Sequence, residues 1–138
     1  MKSYECSTFI DKAISKTKDR SLDWKTCTSP LDIKPIPEER NSFPSFSGNT
    51  LLVDDSYYAT FKNGTIVLLV FQAIKSAPSV PPDNCILSLR MQDDKNKYAI
   101  EIANSNDVLY SSSLIRLYNL ISKESSSVSA LINDFLNS

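Results

Sequence analysis

The dipeptide Asn63-Gly64, set between two strand-like runs, limits what this chain can fold into. Before it, Tyr57 to Lys62 is rich in aromatic and small residues; after it comes Thr65 to Ile74. Asn-Gly supplies the positive φ angles of a two-residue type I′ hairpin. The second run is apolar without a break at Ile66, Val67, Leu68, Leu69, Val70 and Phe71. An antiparallel strand with that pattern is buried on both faces. It therefore belongs in the middle of a sheet, and other elements must cover each side.

The flanking segments supply candidates. Thr50 to Val53 reads as a short strand, and Asp54-Asp55-Ser56 as the turn into Tyr57. Cys85 to Gln92 alternates, with Cys85, Leu87, Leu89 and Met91 on one side and Ser88, Arg90 and Gln92 on a wet side. Lys97 to Ala103 alternates again, with Tyr98, Ile100 and Ile102 inward and Glu101 outward. The Pro-rich link 75–84 leaves open whether these strands are neighbours or cross the sheet. Before the sheet, Phe9, Ile10, Ala13 and Ile14 mark one face of a helix over 4–18, with Leu22 and Trp24 folding back onto it. After the sheet, Leu114, Leu117, Tyr118 and Ile121 follow helical spacing in a helix capped by Asn106 or Asp107. The serines 125–127 break it and cap a last helix striped by Val128, Leu131, Ile132 and Phe135.

The order is thus an N-terminal helix, an antiparallel sheet of about five strands in two hairpins, and two C-terminal helices. This is an α+β class chain. Its 138 residues fit a single domain, 1–138, with an irregular Pro-rich loop at 28–48.

Composition removes several kinds of chemistry. Histidine is absent, which removes Ser-His-Asp and Cys-His catalysis and His-ligated metals. Glycine occurs only at 48 and 64, so neither a P-loop nor a dinucleotide-binding turn can be written. Cys6, Cys27 and Cys85 lack zinc-site spacing, although Cys6 and Cys27 have room to lie near each other. Their odd number, with no apolar leader after Met1, points to reduced thiols and a cytoplasmic location. The longest apolar run is too short to span a bilayer, so no membrane is expected. The carboxylate pairs Glu38-Glu39, Asp54-Asp55 and Asp93-Asp94 suit turns better than acid–base work. Net charge is −1, and no basic stripe favours nucleic acid. No cofactor and no metal are expected, and the reading is of a protein that is not an enzyme.

The amphipathic first helix, Lys16-Thr17, Leu22-Asp23-Trp24, the tyrosine-rich hairpin around Asn63-Gly64, and Leu114-Ile115-Arg116-Leu117-Tyr118-Asn119-Leu120-Ile121 carry a resemblance. They resemble small uncharacterised proteins of low-GC Gram-positive bacteria and their mobile elements. These are packing motifs, so the resemblance transfers no site residues. It implies weight for non-enzymatic inhibitor or immunity roles.

The function expected is a protein-binding module of the immunity or anti-defence type, acting on another protein by occlusion. Its exposed candidates are Glu38, Glu39 and Arg40 in the first loop and Asp54 and Asp55 beside the hairpin. The alternative is a small-ligand or nucleotide-binding protein (a sponge) using the sheet tyrosines, with Tyr58 and Arg90 as the contacts.

Overall fold

A computed structural model describes residues 3–27, 45–46, 49–73, 83–93, 99–124 and 127–138. Helix α1 spans Ser3–Lys18. The strands are β1 Lys25–Thr26, β2 Ser45–Phe46, β3 Asn49–Leu51, β4 Tyr57–Phe61, β5 Gly64–Ala73, β6 Cys85–Asp93 and β7 Ile100–Asn104. Helices α2, Ser111–Glu124, and α3, Ser127–Asn137, close the chain. All the strand pairings are antiparallel. The α+β class and the order of elements are as expected. The two shortest strands, β1 and β2, are additions that alternation over so few residues cannot reveal.

The apolar strand β5 is central. On one edge it pairs with β6 along nearly its whole length, from Gly64↔Asp93 to Gln72↔Cys85. The link 74–84 therefore joins neighbouring strands and does not cross the sheet. The other edge of β5 is shared: β4 takes 64–68 and β3 takes 71–73. Between them the chain makes a 3-10 turn, Val53–Asp55. The changeover would orphan the Val70 amide, and Ser56 prevents that. Its fully buried hydroxyl accepts from Val70 N at 3.0 Å and donates to Leu52 O at 2.8 Å. Leu52 N meanwhile donates to Val70 O at 2.8 Å. Ser105 works similarly beyond β7, accepting from Leu87 N with its hydroxyl and donating its amide to Leu87 O.

Alternation divides the buried residues between two faces. One face of the sheet packs Ile66, Leu68, Val70, Leu87, Leu89, Tyr57 and Ala59 against Cys6, Ile10, Ala13 and Ile14 of α1 and Leu114, Leu117, Tyr118 and Ile121 of α2. Leu22 and Trp24 fold back into this core, as expected. The indole Nε1 donates to Thr17 Oγ1 at 2.9 Å, and that hydroxyl donates to Ala13 O at 2.6 Å. The opposite face buries Val67, Leu69 and Phe71 with Leu51 and Cys27. Cys6 and Cys27 thus lie in separate cores on opposite sides of the sheet, which corrects the expectation that they could be neighbours.

Three further expectations change. The supposedly wet side of β6 is dry: Ser88 is 1% and Arg90 2% exposed. It shares its face with Val67, Leu69 and Phe71, whose own burial forces that side to be covered. In β7, Leu89↔Ala103 and Arg90↔Glu101 leave Ile102 as the extra residue of a bulge. Ile100, expected inward, is 52% exposed on this outer strand. Tyr98 lies outside the described residues. Lastly, the hairpin turn sits one residue earlier than expected. Phe61 pairs with Gly64, so Lys62 and Asn63 form the turn, and the positive φ of 54° falls on Lys62. Gly64 is not left-handed; a Cβ there would stand 3.3 Å from Gln92 O of β6. Its role is to let two strands approach closely.

These placements make three stability predictions. A side chain in the left-handed region costs about 1–2 kcal/mol, partly offset by glycine's larger entropy loss, so Lys62→Gly raises unfolding free energy by up to about 1 kcal/mol. Gly64→Ala lowers it, because β6 must shift. Ser56→Ala leaves the Val70 amide buried without a partner and costs about 1–3 kcal/mol. Urea titration of the variants beside the wild type measures all three.

Candidate functional site

Glu38, Glu39 and Arg40 lie outside the described residues. Asp54 and Asp55 occupy the 3-10 turn between β3 and β4, with Asp54 exposed and Asp55 half-buried. Partial burial, and then the neighbouring Asp54, push the Asp55 carboxyl above the ordinary carboxylate range. Its charge reaches inward. Burial foremost, and then Asp55 and Asp83, raise the Cys85 thiol. Burial foremost, and then Tyr57, Asp55 and Cys85, raise the Tyr118 phenol. The Tyr57 and Tyr118 rings pack at a centroid distance of 6.0 Å. The Cys85 thiol and the Tyr118 phenol hold their protons, and a protonated thiol is a poor nucleophile. The arrangement is one of packing with an acidic rim at Asp54 and Asp55. Among the described residues, no three His, Cys, Asp or Glu gather to hold a metal.

Tyr58 and Arg90 do come onto one face. Both are cross-strand neighbours of Val67, Tyr58 on β4 and Arg90 on β6. The Arg90 guanidinium is already engaged, however. Its Nε donates to Ser88 Oγ at 2.9 Å, Glu101 Oε2 stands 3.9 Å away, and its Cζ lies 5.8 Å from the Phe71 ring centre. Ser88 Oγ also donates to Glu101. The arginine therefore serves to neutralise charge inside the second face.

Two surfaces that the sequence did not single out as sites are more open. The first is a cleft of about 200 Å³ along one flank of α1. Phe9, Ala13, Leu22, Phe61, Ile66 and Met91 line it, and Lys12 and Lys16 stand at its rim. Lys16 Nζ lies 5.3 Å from the Phe61 ring centre, and Lys62 Nζ lies 5.6 Å from the same centre, within cation–π range. The opposite flank of α1, at Asp11, Ile14, Ser15 and Lys18, faces Arg116 of α2.

The second surface is α3. Leu131, Ile132, Phe135 and Leu136 fall on one helical stripe, and all four are exposed, Phe135 to 79%. The spacing of this stripe was legible, but its exposure was not. Amphipathic spacing shows which residues want cover, and does not say whether the same chain supplies it. Val108 and Leu109, in the turn before α2, are also exposed. Among the described residues no helix is long and apolar enough to cross a membrane.

The chain matches no protein-family model, no curated protein and no solved structure.

The Asp55 environment sets a pH dependence. Below about 3.8, its ordinary value, the carboxyl is neutral in folded and unfolded chains alike. Above it the unfolded chain releases the proton while the folded chain still holds it, so this group's contribution to stability falls until the folded carboxyl also ionises. Asp55→Asn should therefore stabilise the protein at neutral pH, with the gain vanishing in acid. Denaturant titrations at both pH values measure it.

Proposed function

We propose that this protein is a non-enzymatic protein-binding module, of the kind that acts by occupying a partner's surface, as immunity and anti-defence inhibitors do. The observation that carries the reading is the exposed apolar stripe of α3. Large contiguous apolar surface left open on a folded chain is the usual mark of an interaction site. An amphipathic helix laying such a stripe into a groove is a recurrent mode of recognition. The Asp54 and Asp55 turn adds an acidic rim suited to steering a cationic partner. Occlusion requires no nucleophile or general base, in keeping with a chain that has no histidine.

Phe135→Ser should leave the melting temperature close to wild type, because the ring contributes little to the core. It should lower capture of a stoichiometric protein partner from the native host at low salt by about tenfold or more, as expected for loss of an aromatic anchor. Affinity capture with quantification of the bound protein, alongside thermal unfolding of both chains, measures this. A wild-type chain that captures no stoichiometric protein contradicts the reading.

A further inference from the structure

The sheet face that carries the main core is covered by α1 and α2, lying side by side. On the far flank of α1 from α2, no further helix follows among the described residues, and the lysine-rimmed cleft opens over Phe61, Ile66 and Met91. A third helix placed there would complete the layer. The chain has a third helix with an exposed apolar stripe, and that helix lies elsewhere. We infer that the cleft beside α1 receives α3 of a second copy of this chain.

Three observations favour this occupant. The cleft is framed by Phe9, Ala13 and Lys16, about two turns of α1, which is long enough to seat the stripe from Leu131 to Leu136, about one and a half turns. The charges are complementary: the only ionisable side chain of 127–138 is Asp134, which flanks the stripe, and the cleft rim carries Lys12 and Lys16. The chain's own α3 is poorly placed to reach. Residues 125–126 join it to α2, so the end of α2 and the start of α3 stand at most about 11 Å apart, while α1, with a diameter of about 10 Å, lies between α2 and the cleft. Reciprocal exchange by two copies seats both helices and closes with two-fold symmetry, which leaves no stripe open to propagate.

The inference rests on reading α3 as a docking helix and names its receptor within the homodimer; capture of another protein by the same stripe then draws on the dissociated chain. Sedimentation velocity of the full chain over a wide concentration range should show a monomer–dimer equilibrium. Phe135→Ser should abolish the dimer. Asp134→Lys, and separately Lys12→Glu with Lys16→Glu, should each weaken it about tenfold. Combining the two sets should restore it, since the charges are then exchanged. Thermal unfolding of each variant verifies that the fold persists, and Phe135→Ser alone decides the matter if the charge variants fail to fold. A chain that stays monomeric throughout, or a dimer indifferent to these changes, overturns the inference. If a monomeric wild type still captures a different protein and Phe135→Ser does not, self-docking is wrong while the docking-helix reading stands. If that capture also ignores Phe135, both fall.

Discussion

Strand β5 imposes the constraint on which the rest of the structure depends. Six consecutive apolar residues, Ile66 to Phe71, are all buried, so both faces of the strand must be shielded from water. Antiparallel sheets commonly leave one face wet, and β5 does not permit it. The consequence reaches neighbouring strands. Arg90 is drawn inside because it is the cross-strand neighbour of Val67, and it requires Glu101, Ser88 and the Phe71 ring to be tolerable there. An unpaired buried charge would be far more costly than the pair.

Edge pairing is the second demand that β5 makes. Its long edge is too much for β4 alone, and β3 completes it after the Val53–Asp55 turn. The serine hydroxyl at 56 carries the hydrogen bonding across that break. Glycine scarcity is handled by a similar economy. With two glycines in the chain, left-handed backbone among the described residues falls to Arg20, Lys62 and Asn84, while Gly64 is kept for a place where a Cβ would crowd another strand. Arg20 ends α1 in a Schellman-type turn, with Ser21 N donating to Lys16 O and Arg20 N to Thr17 O.

Elements that announce themselves by period were legible in the sequence. The faces of α1 and α2, the inward Leu87 and Leu89, and the folding back of Trp24 all follow from apolar spacing. Features decided by tertiary environment were not legible. Arg90 and Ser88 read as wet because alternation shows only that they oppose Leu89, and not what covers them. The Ile102 bulge breaks the register without any compositional mark. The one-residue displacement of the hairpin turn shows the same limit: Asn-Gly marks a turn, yet crowding by Gln92 O decides which role the glycine takes. Of the candidate site residues, Asp54 and Asp55 are accessible as expected, Asp55 only in part, whereas the exposure of the α3 stripe and the α1 cleft emerged only from burial.

The functional account joins two apolar surfaces that the fold leaves open, a stripe on α3 and a slot beside α1. Both are open among the described residues, and their charges are opposite. The most direct test is to place a photo-activatable phenylalanine analogue at position 135 and irradiate a mixture of light and isotopically heavy chains. The account predicts cross-links joining position 135 of one isotopic form to the 9–16 segment of the other. Cross-links confined within single chains, or joining copies at unrelated segments, would contradict it.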